Sequence, residues 1–287
     1  MNVYIQSILL GIVEGLTEFL PVSSTAHLRI TEALMKIPLE DAYWKMYTIV
    51  IQLGAILALL LLFLSRIVDF IRTFPRGENG DRTWLNHPIS MTFIAFACTS
   101  APALLLHKWS EKNLGSLKVM ALALLIGGVV MWIIDAWSDR YVAGTTHVEE
   151  MSLPQAIWIG LCQTLSAIFP GTSRSMSTIA AGQIAGMDRP SALEFSFLLS
   201  IPTMIAATIW DLKKEVFPSG GGAAHVVMTT DNWIVLAIGF VVSFIVALGV
   251  VEWFLFWVRK HGFTMFAIYR ILLGTALLLW GAKYIGS

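Results

Sequence analysis

Charge is scarce in this chain, and neither sign is in excess. Only 13% of its 287 residues are Asp, Glu, Lys or Arg, whereas about 25% of a typical soluble domain is charged. The 19 basic and 19 acidic residues leave a formal net charge of +0. Because the chain presents no field of either sign, we expect no nucleic-acid partner.

Cysteine is also scarce. The chain has two cysteines, Cys98 and Cys162, which lie in separate apolar segments without a CxxC pattern. A disulfide framework or a cysteine metal site is therefore not expected. The first residues, MNVYIQSILL, lack the charged start and the small-residue cleavage site of a signal peptide, so we expect them to belong to the mature protein.

Long apolar runs, in contrast, are plentiful. Hydrophobic residues make up 56% of the chain, and the mean hydropathy is +0.73. Helices of about 20 apolar residues cross the ~30 Å hydrocarbon core of a bilayer. The sequence therefore predicts an all-α integral membrane protein, with a single membrane domain over residues 1–287. About six transmembrane helices are predicted, at residues 46–64, 88–106, 117–134, 195–210, 233–258 and 263–284.

Two polar stretches interrupt this apolar pattern. Residues 11–27 read GIVEGLTEFLPVSSTAH, and residues 160–178 read GLCQTLSAIFPGTSRSMST. Each contains a proline, which ends a helix, and then serine or threonine residues that can cap the next helix. Irregular backbone at membrane depth is tolerated only where protein or a wet cavity surrounds it. We therefore expect two broken, re-entrant helix pairs whose breaks lie inside the bundle.

The two stretches align with each other at a constant offset of 149 residues. The offset pairs Gly11 with Gly160, Glu14 with Gln163, Pro21 with Pro170, Ser23 with Thr172 and Ser24 with Ser173. Three predicted crossings follow each stretch, and an odd number inverts the second copy in the membrane. We therefore predict an inverted-topology internal repeat, with repeat 1 at about residues 1–135 and repeat 2 at about residues 153–287. Such repeats place their site near the membrane middle, between the copies.

Two acidic residues in the first stretch are candidates for chemistry. Glu14 and Glu18 are four residues apart, so on a helix they share one face with Cβ atoms ~5–6 Å apart. Two carboxylates this close in a low-dielectric site favour either a shared proton, as in a general acid or base, or a bound divalent cation. The alternative is a helix face wetted by lipid headgroups, and the uniformly apolar neighbours disfavour it.

The hydroxyl residues of the first stretch precede a short helix. Ser23, Ser24 and Thr25 would lie at its amino-terminal end, where free N–H groups and the helix dipole favour an anion. Simple N-capping is the alternative for these three residues. His27 follows closely and is a candidate base that activates a hydroxyl. The alternative for His27 is a structural histidine.

The second stretch supplies a cation. The planar fork of Arg174 suits phosphate oxygens, and Gly171 allows close approach of the backbone. The hydroxyl residues around them are Thr172, Ser173, Ser175 and Thr178. The segment is typical of a phosphate cradle, although it lacks the lysine and the spacing of a P-loop. An arginine that snorkels to the interface is the alternative. Glu194 is a candidate support for Arg174, with a polar link between helices as its alternative.

Together the stretches supply acids, a hydroxyl nucleophile, a histidine and an anion binder. This set suits phosphoryl transfer, in which positioning and charge stabilisation carry most of the catalysis. A membrane transporter or flippase of an anionic lipid or small anion is the alternative, because inverted repeats with broken helices are typical of transporters. An intramembrane protease is disfavoured, since the sequence has no HExxH and no matched pair of intramembrane aspartates.

The motif EGLTEFLPVSSTAH at residues 14–27 and the motif PGTSRS at residues 170–175 closely resemble the two signature regions of bacterial undecaprenyl-diphosphate phosphatases of the bacitracin-resistance type. The resemblance covers the whole chain. It implies hydrolysis of undecaprenyl diphosphate to undecaprenyl phosphate and inorganic phosphate, which recycles the lipid carrier for cell-wall synthesis and confers bacitracin resistance. One departure is Met176, where the family usually has glycine.

The resemblance also implies roles for individual residues. The family's catalytic residues map onto Glu14, Glu18, Ser24, His27 and Arg174. We expect substrate contacts from Ser23, Thr25, Gly171, Thr172, Ser173, Ser175 and Thr178. A divalent cation, Mg²⁺ or Ca²⁺, is implied at Glu14 and Glu18.

The same resemblance implies the setting of the reaction. The counts of Lys and Arg on the two sides do not decide the orientation. The family's site opens to the periplasmic or outer face of the bacterial plasma membrane, and we expect the same here. The expected partners are a polyprenyl diphosphate lipid substrate and membrane lipids, with a homodimer as a candidate assembly.

Overall fold

A computed structural model shows a bundle of helices. It describes residues 2–38, 41–77, 80, 82–113, 115–138, 140, 142–216 and 228–281. Within these ranges the chain forms eleven α-helices and no β-strand. The helices are α1 Val3–Thr17, α2 Ser24–Leu34, α3 Ala42–Leu62, α4 Leu64–Thr73, α5 Pro88–Asn113, α6 Leu117–Ser138, α7 Leu153–Ile168, α8 Arg174–Ile184, α9 Arg189–Val216, α10 Thr230–His261 and α11 Thr264–Ala276.

Five of the described helices are long and apolar enough to cross a membrane, namely α3, α5, α6, α9 and α10. They coincide with the first five predicted crossings. An apolar segment in a bilayer has no water to bind its backbone polar groups, so it satisfies them within a helix. The sixth predicted crossing corresponds to a shorter apolar segment, Thr264–Leu279. Residues 282–284 of that prediction lie outside the described ranges. The chain is thus a multi-pass, all-α membrane protein, as predicted.

Each polar stretch forms a break between two short helices. The first break separates α1 from α2, and the second separates α7 from α8. The helices after the breaks match closely, since α2 and α8 each have 11 residues and each begins after a serine N-cap with φ of 72°. These serines are Ser23 and Ser173, which are 150 positions apart, whereas Pro21 and Pro170 are 149 apart.

The constant offset is therefore wrong beyond the prolines. Between its proline and its N-cap serine the second break holds one additional residue, and Gly171 accommodates it with φ of +95°, a conformation that glycine adopts without penalty. In the helix register Ser24 corresponds to Arg174, not to Ser173. The inversion of the second repeat and the boundaries of the two repeats stay predictions.

Each broken pair packs against a helix from the other half of the chain. Helix α1 packs on α10, and α7 packs on α5. Glycines allow this close approach: a Cβ at Gly11 would lie 2.8 Å from the Gly239 carbonyl oxygen, and one at Gly160 would overlap the Ala95 carbonyl. Small residues at such crossings are typical of membrane helix packing.

Protein, not lipid, surrounds the first break. Phe19 and Val22 are 0% and 4% exposed. The Phe19 ring meets Phe197 of α9 edge-on at 5.7 Å between ring centres, and Phe197 in turn packs on Phe63 and Phe254. The break therefore lies inside the bundle, where its irregular backbone is shielded from hydrocarbon.

Candidate active site

Three predicted site residues meet where the two breaks approach each other. Ser24 Oγ donates a hydrogen bond of 2.5 Å to Glu18 Oε2. Arg174 Nη2 lies 3.4 Å from the other carboxylate oxygen of Glu18. The side chains of Arg174 and Glu18 are 12% and 7% exposed, so the ion pair is largely shielded from solvent. Glu18 thus links the hydroxyl of the first break to the guanidinium of the second.

Glu14 lies one turn before Glu18 on α1. It is 1% exposed, and its Oε2 is buried without a hydrogen-bond partner in the described part of the chain. Glu14 and Glu18 interact electrostatically, as their spacing predicts. An unpartnered buried carboxylate oxygen is costly unless a cation or proton compensates it.

The donor set fits a divalent cation. Mg²⁺ and Ca²⁺ prefer oxygen ligands, and Mg²⁺ is commonly held by one or two carboxylates together with substrate phosphates and water. Glu14 and Glu18 supply two carboxylates, one with a free buried oxygen. Within the described ranges, no group of three or more His, Cys, Asp or Glu could hold a metal ion. The two glutamates would therefore act together with phosphate and water ligands.

Ser23 and Thr25 differ in environment. Ser23 is buried, and its Oγ caps α2 by accepting from the Ala26 N–H at 3.5 Å. Its positive φ of 72° is unusual for a residue other than glycine, and such strained positions cluster at functional sites. Thr25 is exposed, so its hydroxyl is accessible at the start of α2.

Within the described residues, the hydrogen bonds of the His27 ring go to groups other than Ser24. Its Nδ1 lies 2.7 Å from the Ser23 carbonyl oxygen, and its Nε2 lies 2.6 Å from the Tyr269 hydroxyl. A carbonyl only accepts, so Nδ1 carries the proton, and in the neutral ring Nε2 accepts from the Tyr269 hydroxyl. The group in contact with the Ser24 hydroxyl is Glu18. The His27 ring is turned towards α11, and its role as a base stays a prediction.

Arg174 is inside the protein and does not snorkel. Besides Glu18, its guanidinium contacts the Ser196 carbonyl oxygen at 3.5 Å and the Met204 sulfur at 3.3 Å, and it lies 5.8 Å from the centre of the Phe19 ring. These partners are long or weak acceptors, which leaves the guanidinium with capacity to bind an anion.

Glu194 has a different partner from the one expected. It pairs with Arg66 of α4, whose Nε lies 2.7 Å from Glu194 Oε1. The same guanidinium holds Glu149, with Nη1 2.7 Å from Oε1. The expectation that Glu194 supports Arg174 is therefore wrong. Charge type alone cannot assign a partner when several arginines compete for one carboxylate.

The hydroxyls of the second break are largely engaged within the protein. Ser173 Oγ caps α8 at Met176 N, 3.3 Å away, and lies 3.1 Å from Ser175 Oγ. Ser175 donates to the Leu20 carbonyl at 3.0 Å, which joins the second break to the first. Thr178 Oγ1 lies 2.6 Å from Ser196 Oγ. Ser175 and Thr178 are each 1% exposed, so they brace the site in this structure.

Met176, the departure from the family pattern, lies within the regular helix α8 and is 5% exposed. Its Cε would be 3.3 Å from a Cβ built on Gly127 of α6. Methionine therefore fills the space beside a glycine, and the backbone at this position requires no special conformation.

Two residues of α11 at this site were missed from the sequence. Tyr269 contacts His27, and Arg270 is fully buried and donates to main-chain carbonyls of both breaks. Arg270 could have been found, because it is an ionisable residue inside a predicted crossing, and such residues are functional candidates by default. Tyr269 carries no such signal.

The assembled site combines a hydroxyl held by a carboxylate, a guanidinium and the amino-terminal ends of two short helices. Helix starts and arginine both favour phosphate oxygens. The hydroxyl and carboxylate can supply a nucleophile and a proton acceptor. This arrangement is suited to phosphoryl transfer.

Comparison with known proteins gives a consistent result. The family model described as "Bacitracin resistance protein BacA" matches residues 7–276. The chain is 59% identical over 287 residues to the "Undecaprenyl-diphosphatase" of Koribacter versatilis (strain Ellin345), which covers 99% of this chain and 100% of the relative.

More distant relatives carry the same name. The chain is 40% identical over 286 residues to the "Undecaprenyl-diphosphatase" of Caldanaerobacter subterraneus subsp. tengcongensis, covering 99% of this chain and 98% of the relative. It is 39% identical over 270 residues to that of Aquifex aeolicus, covering 94% of this chain and 95% of the relative. The similarity thus spans nearly the full length in each case.

Proposed function

Because this chain belongs to the bacitracin resistance protein BacA family, we infer that it hydrolyses undecaprenyl diphosphate to undecaprenyl phosphate and inorganic phosphate. The observation that carries this inference is the contact of Glu18 with both the Ser24 hydroxyl and the Arg174 guanidinium. The names of the relatives favour a phosphatase over the transporter alternative.

Both breaks contribute groups that bind the diphosphate. Arg174 and the N–H groups at the starts of α2 and α8 hold its negative charge, since helix starts and arginine both favour phosphate. The exposed hydroxyl of Thr25 lies at the start of α2 and is a candidate contact for a phosphate oxygen. Glu14 and Glu18 would hold a divalent cation, Mg²⁺ or Ca²⁺, which when bound supplies positive charge against the phosphate oxygens.

The transfer step uses the contact between Ser24 and Glu18. Ser24 Oγ forms a bond to the terminal phosphorus while the bond from that phosphorus to the bridging oxygen breaks, and Glu18 takes the hydroxyl proton. Undecaprenyl phosphate leaves, and water then hydrolyses the phosphoserine to give inorganic phosphate and the original hydroxyl. If water attacks directly, Glu18 can take its proton in the same way.

His27 has a separate role from that of Glu18. Its Nε2 lies 2.6 Å from the Tyr269 hydroxyl, whereas Glu18 is hydrogen-bonded to Ser24. Once released from Tyr269, Nε2 is a second position that can hold a proton near the start of α2. The role of His27 is therefore to hold a proton at the site and not to activate Ser24.

The setting of the reaction follows the family. The lipid substrate requires a membrane enzyme, and the multiple apolar helices meet this requirement. We place the protein in the bacterial plasma membrane with its site open to the outer face. The monophosphate product would re-enter the carrier cycle of cell-wall synthesis, and rapid removal of the diphosphate would confer bacitracin resistance.

The test is release of phosphate from a polyprenyl diphosphate by the purified protein in detergent. We expect release with Mg²⁺ or Ca²⁺, loss with EDTA and recovery when the cation is restored. Arg174→Ala should remove activity while the protein still elutes as a folded species. Absence of release by the unaltered protein with every divalent cation would contradict the proposed function, and full activity in EDTA would contradict the cation site.

A further inference from the structure

Arg270 of α11 is buried against α6. Its side chain is 0% exposed. Two consecutive glycines of α6 make room for it: a Cβ on Gly127 would overlap Arg270 Nη2, and one on Gly128 would lie 3.0 Å from Arg270 Cβ. The two glycines of α6 thus leave the space that the Arg270 side chain occupies.

The guanidinium of Arg270 joins the two breaks. Nη1 donates to the Pro21 carbonyl oxygen at 3.0 Å, in the first break. Nη2 donates to the carbonyl oxygens of Gly171 at 3.2 Å and Thr172 at 2.9 Å, in the second break. The same nitrogen reaches the Ala123 carbonyl of α6 at 3.1 Å. One side chain therefore binds both broken segments and a crossing helix.

The surroundings of Arg270 are unusual for a buried charge. In the part of the chain that the structure describes, its hydrogen-bond partners are main-chain carbonyls and none is a carboxylate. Its Nε is buried without a partner. A buried charge that lacks an opposite charge is costly and persists where it has a function.

The position of the carbonyls indicates that function. Pro21 precedes Ser24 by three residues, and Thr172 precedes Arg174 by two. The contact of Glu18 with Ser24 and Arg174 requires the two helix starts to lie at a fixed separation. Arg270 binds the backbone directly before each start.

We propose that Arg270 is a positioning residue that holds the Ser24 half and the Arg174 half of the site in register. The proposal rests on the proposed phosphatase function. Arg270 acts through the backbone of the breaks and does not itself touch the diphosphate. An arginine is required because its fork presents two nitrogens to two separated carbonyl groups, whereas lysine presents one.

Arg270→Lys tests this requirement, with Arg189→Lys as the matched control. Arg189 is a partly buried arginine that also binds α6, with its Nε 2.7 Å from Asp135 Oδ1. Asp135 lies about 12 Å along α6 from Gly127 at ~1.5 Å per residue. We expect kcat to fall at least tenfold in R270K with KM changed less than threefold. In R189K, kcat per folded protein should stay within twofold of the unaltered chain.

Chemical rescue separates positioning from a general loss of packing. In Arg270→Ala, added guanidinium ion should restore part of kcat, because it can occupy the space of the removed side chain and bind the same carbonyls. Sodium chloride at equal ionic strength should restore none. If R270A does not fold, Gly127→Ala serves instead, since the added methyl displaces Arg270 Nη2 and leaves the charge in place.

For Gly127→Ala the matched control is Gly54→Ala, where a Cβ would lie 2.5 Å from the Phe240 carbonyl oxygen, at the packing of α3 on α10. G127A should lower kcat at least tenfold and G54A should not. The proposal is overturned if R270K and G127A keep kcat within twofold of the unaltered protein, or if R189K and G54A lose as much. Failure of the unaltered protein to release phosphate would instead overturn the phosphatase function.

Discussion

The 2.5 Å contact between Ser24 and Glu18 leads to a prediction for each side chain. Ser24→Ala removes the proposed nucleophile, so kcat for phosphate release should fall at least about 100-fold. Glu18→Gln keeps the shape but loses the proton acceptor, and a loss of about 10²–10⁴-fold in kcat is expected. Both rates are measured as phosphate release at saturating substrate.

Ser166→Ala is the control for these variants. Ser166 lies on α7 and donates to the Gln163 carbonyl at 2.7 Å, so its loss should leave kcat within twofold. Retention of more than a tenth of kcat in S24A, together with the full loss in E18Q, would replace the serine by a water nucleophile. Full activity in E18Q would remove Glu18 as the proton acceptor.

The sequence largely indicated which residues carry the chemistry, but it did not indicate which residues they contact. Glu18, Ser24 and Arg174 were found because charged and hydroxyl residues are rare in apolar chain and expensive to bury. The partner of His27 was not found, since Tyr269 is 242 residues away and aromatic residues are common in membrane helices. A local pattern indicates which groups are reactive, whereas their contacts depend on long-range packing.

At the scale of the elements, the second break depends on Gly171. Its φ is +95°, and a Cβ would lie 2.6 Å from the Met120 carbonyl oxygen. Gly171→Ala therefore combines backbone strain with a backbone clash. We expect the free energy of unfolding to fall by about 1–3 kcal/mol and kcat to fall as Arg174 moves. Thermal unfolding in detergent and phosphate release provide the two measurements.

Gly144→Ala is the control for Gly171→Ala. Gly144 lies in the connection between the halves, and a Cβ there would meet no atom within 4 Å. It should change neither the melting temperature nor kcat appreciably. If G171A were as stable and active as G144A, the tight approach of the second break to α6 would not matter for the site.

The breaks themselves were predictable, but their register was not. Proline followed by serine or threonine ends one helix and caps the next, so both interruptions were located. The additional residue between Pro170 and Ser173 was not apparent from the sequence, because Ser23 aligns with a hydroxyl residue at either offset: Thr172 at 149 and Ser173 at 150. The starts of α2 and α8 and the matching φ of 72° at their N-caps, Ser23 and Ser173, identify the equivalent positions.

For the whole molecule, hydropathy predicted the crossings and could not predict their neighbours. Apolar length is a property of each helix alone. The packing of α1 on α10 and of α7 on α5 depends on complementary small faces. Gly11 and Gly160 indicate that something packs closely, yet a glycine does not identify the helix that approaches it.

Because helices of each half pack on helices of the other half, we predict that the chain connection between the halves is dispensable once the protein has folded. Val142 lies in that connection and is 100% exposed. A protease site inserted after Val142 and cut in the purified protein should leave two fragments that copurify, with phosphate release within twofold of the uncut protein. Packing of α1 on α10, α7 on α5 and α6 on α11 would hold the fragments together.

The same packing predicts that neither fragment releases phosphate alone. The first fragment carries Glu18 and Ser24 without Arg174, and the second carries Arg174 without them, so each holds an incomplete site. Expressed separately, neither should release phosphate, whereas mixing or coexpression should restore it. If the cut fragments separate in mild detergent and activity is lost with them, the connection, and not the packing of helices between the halves, holds the two halves of the site together.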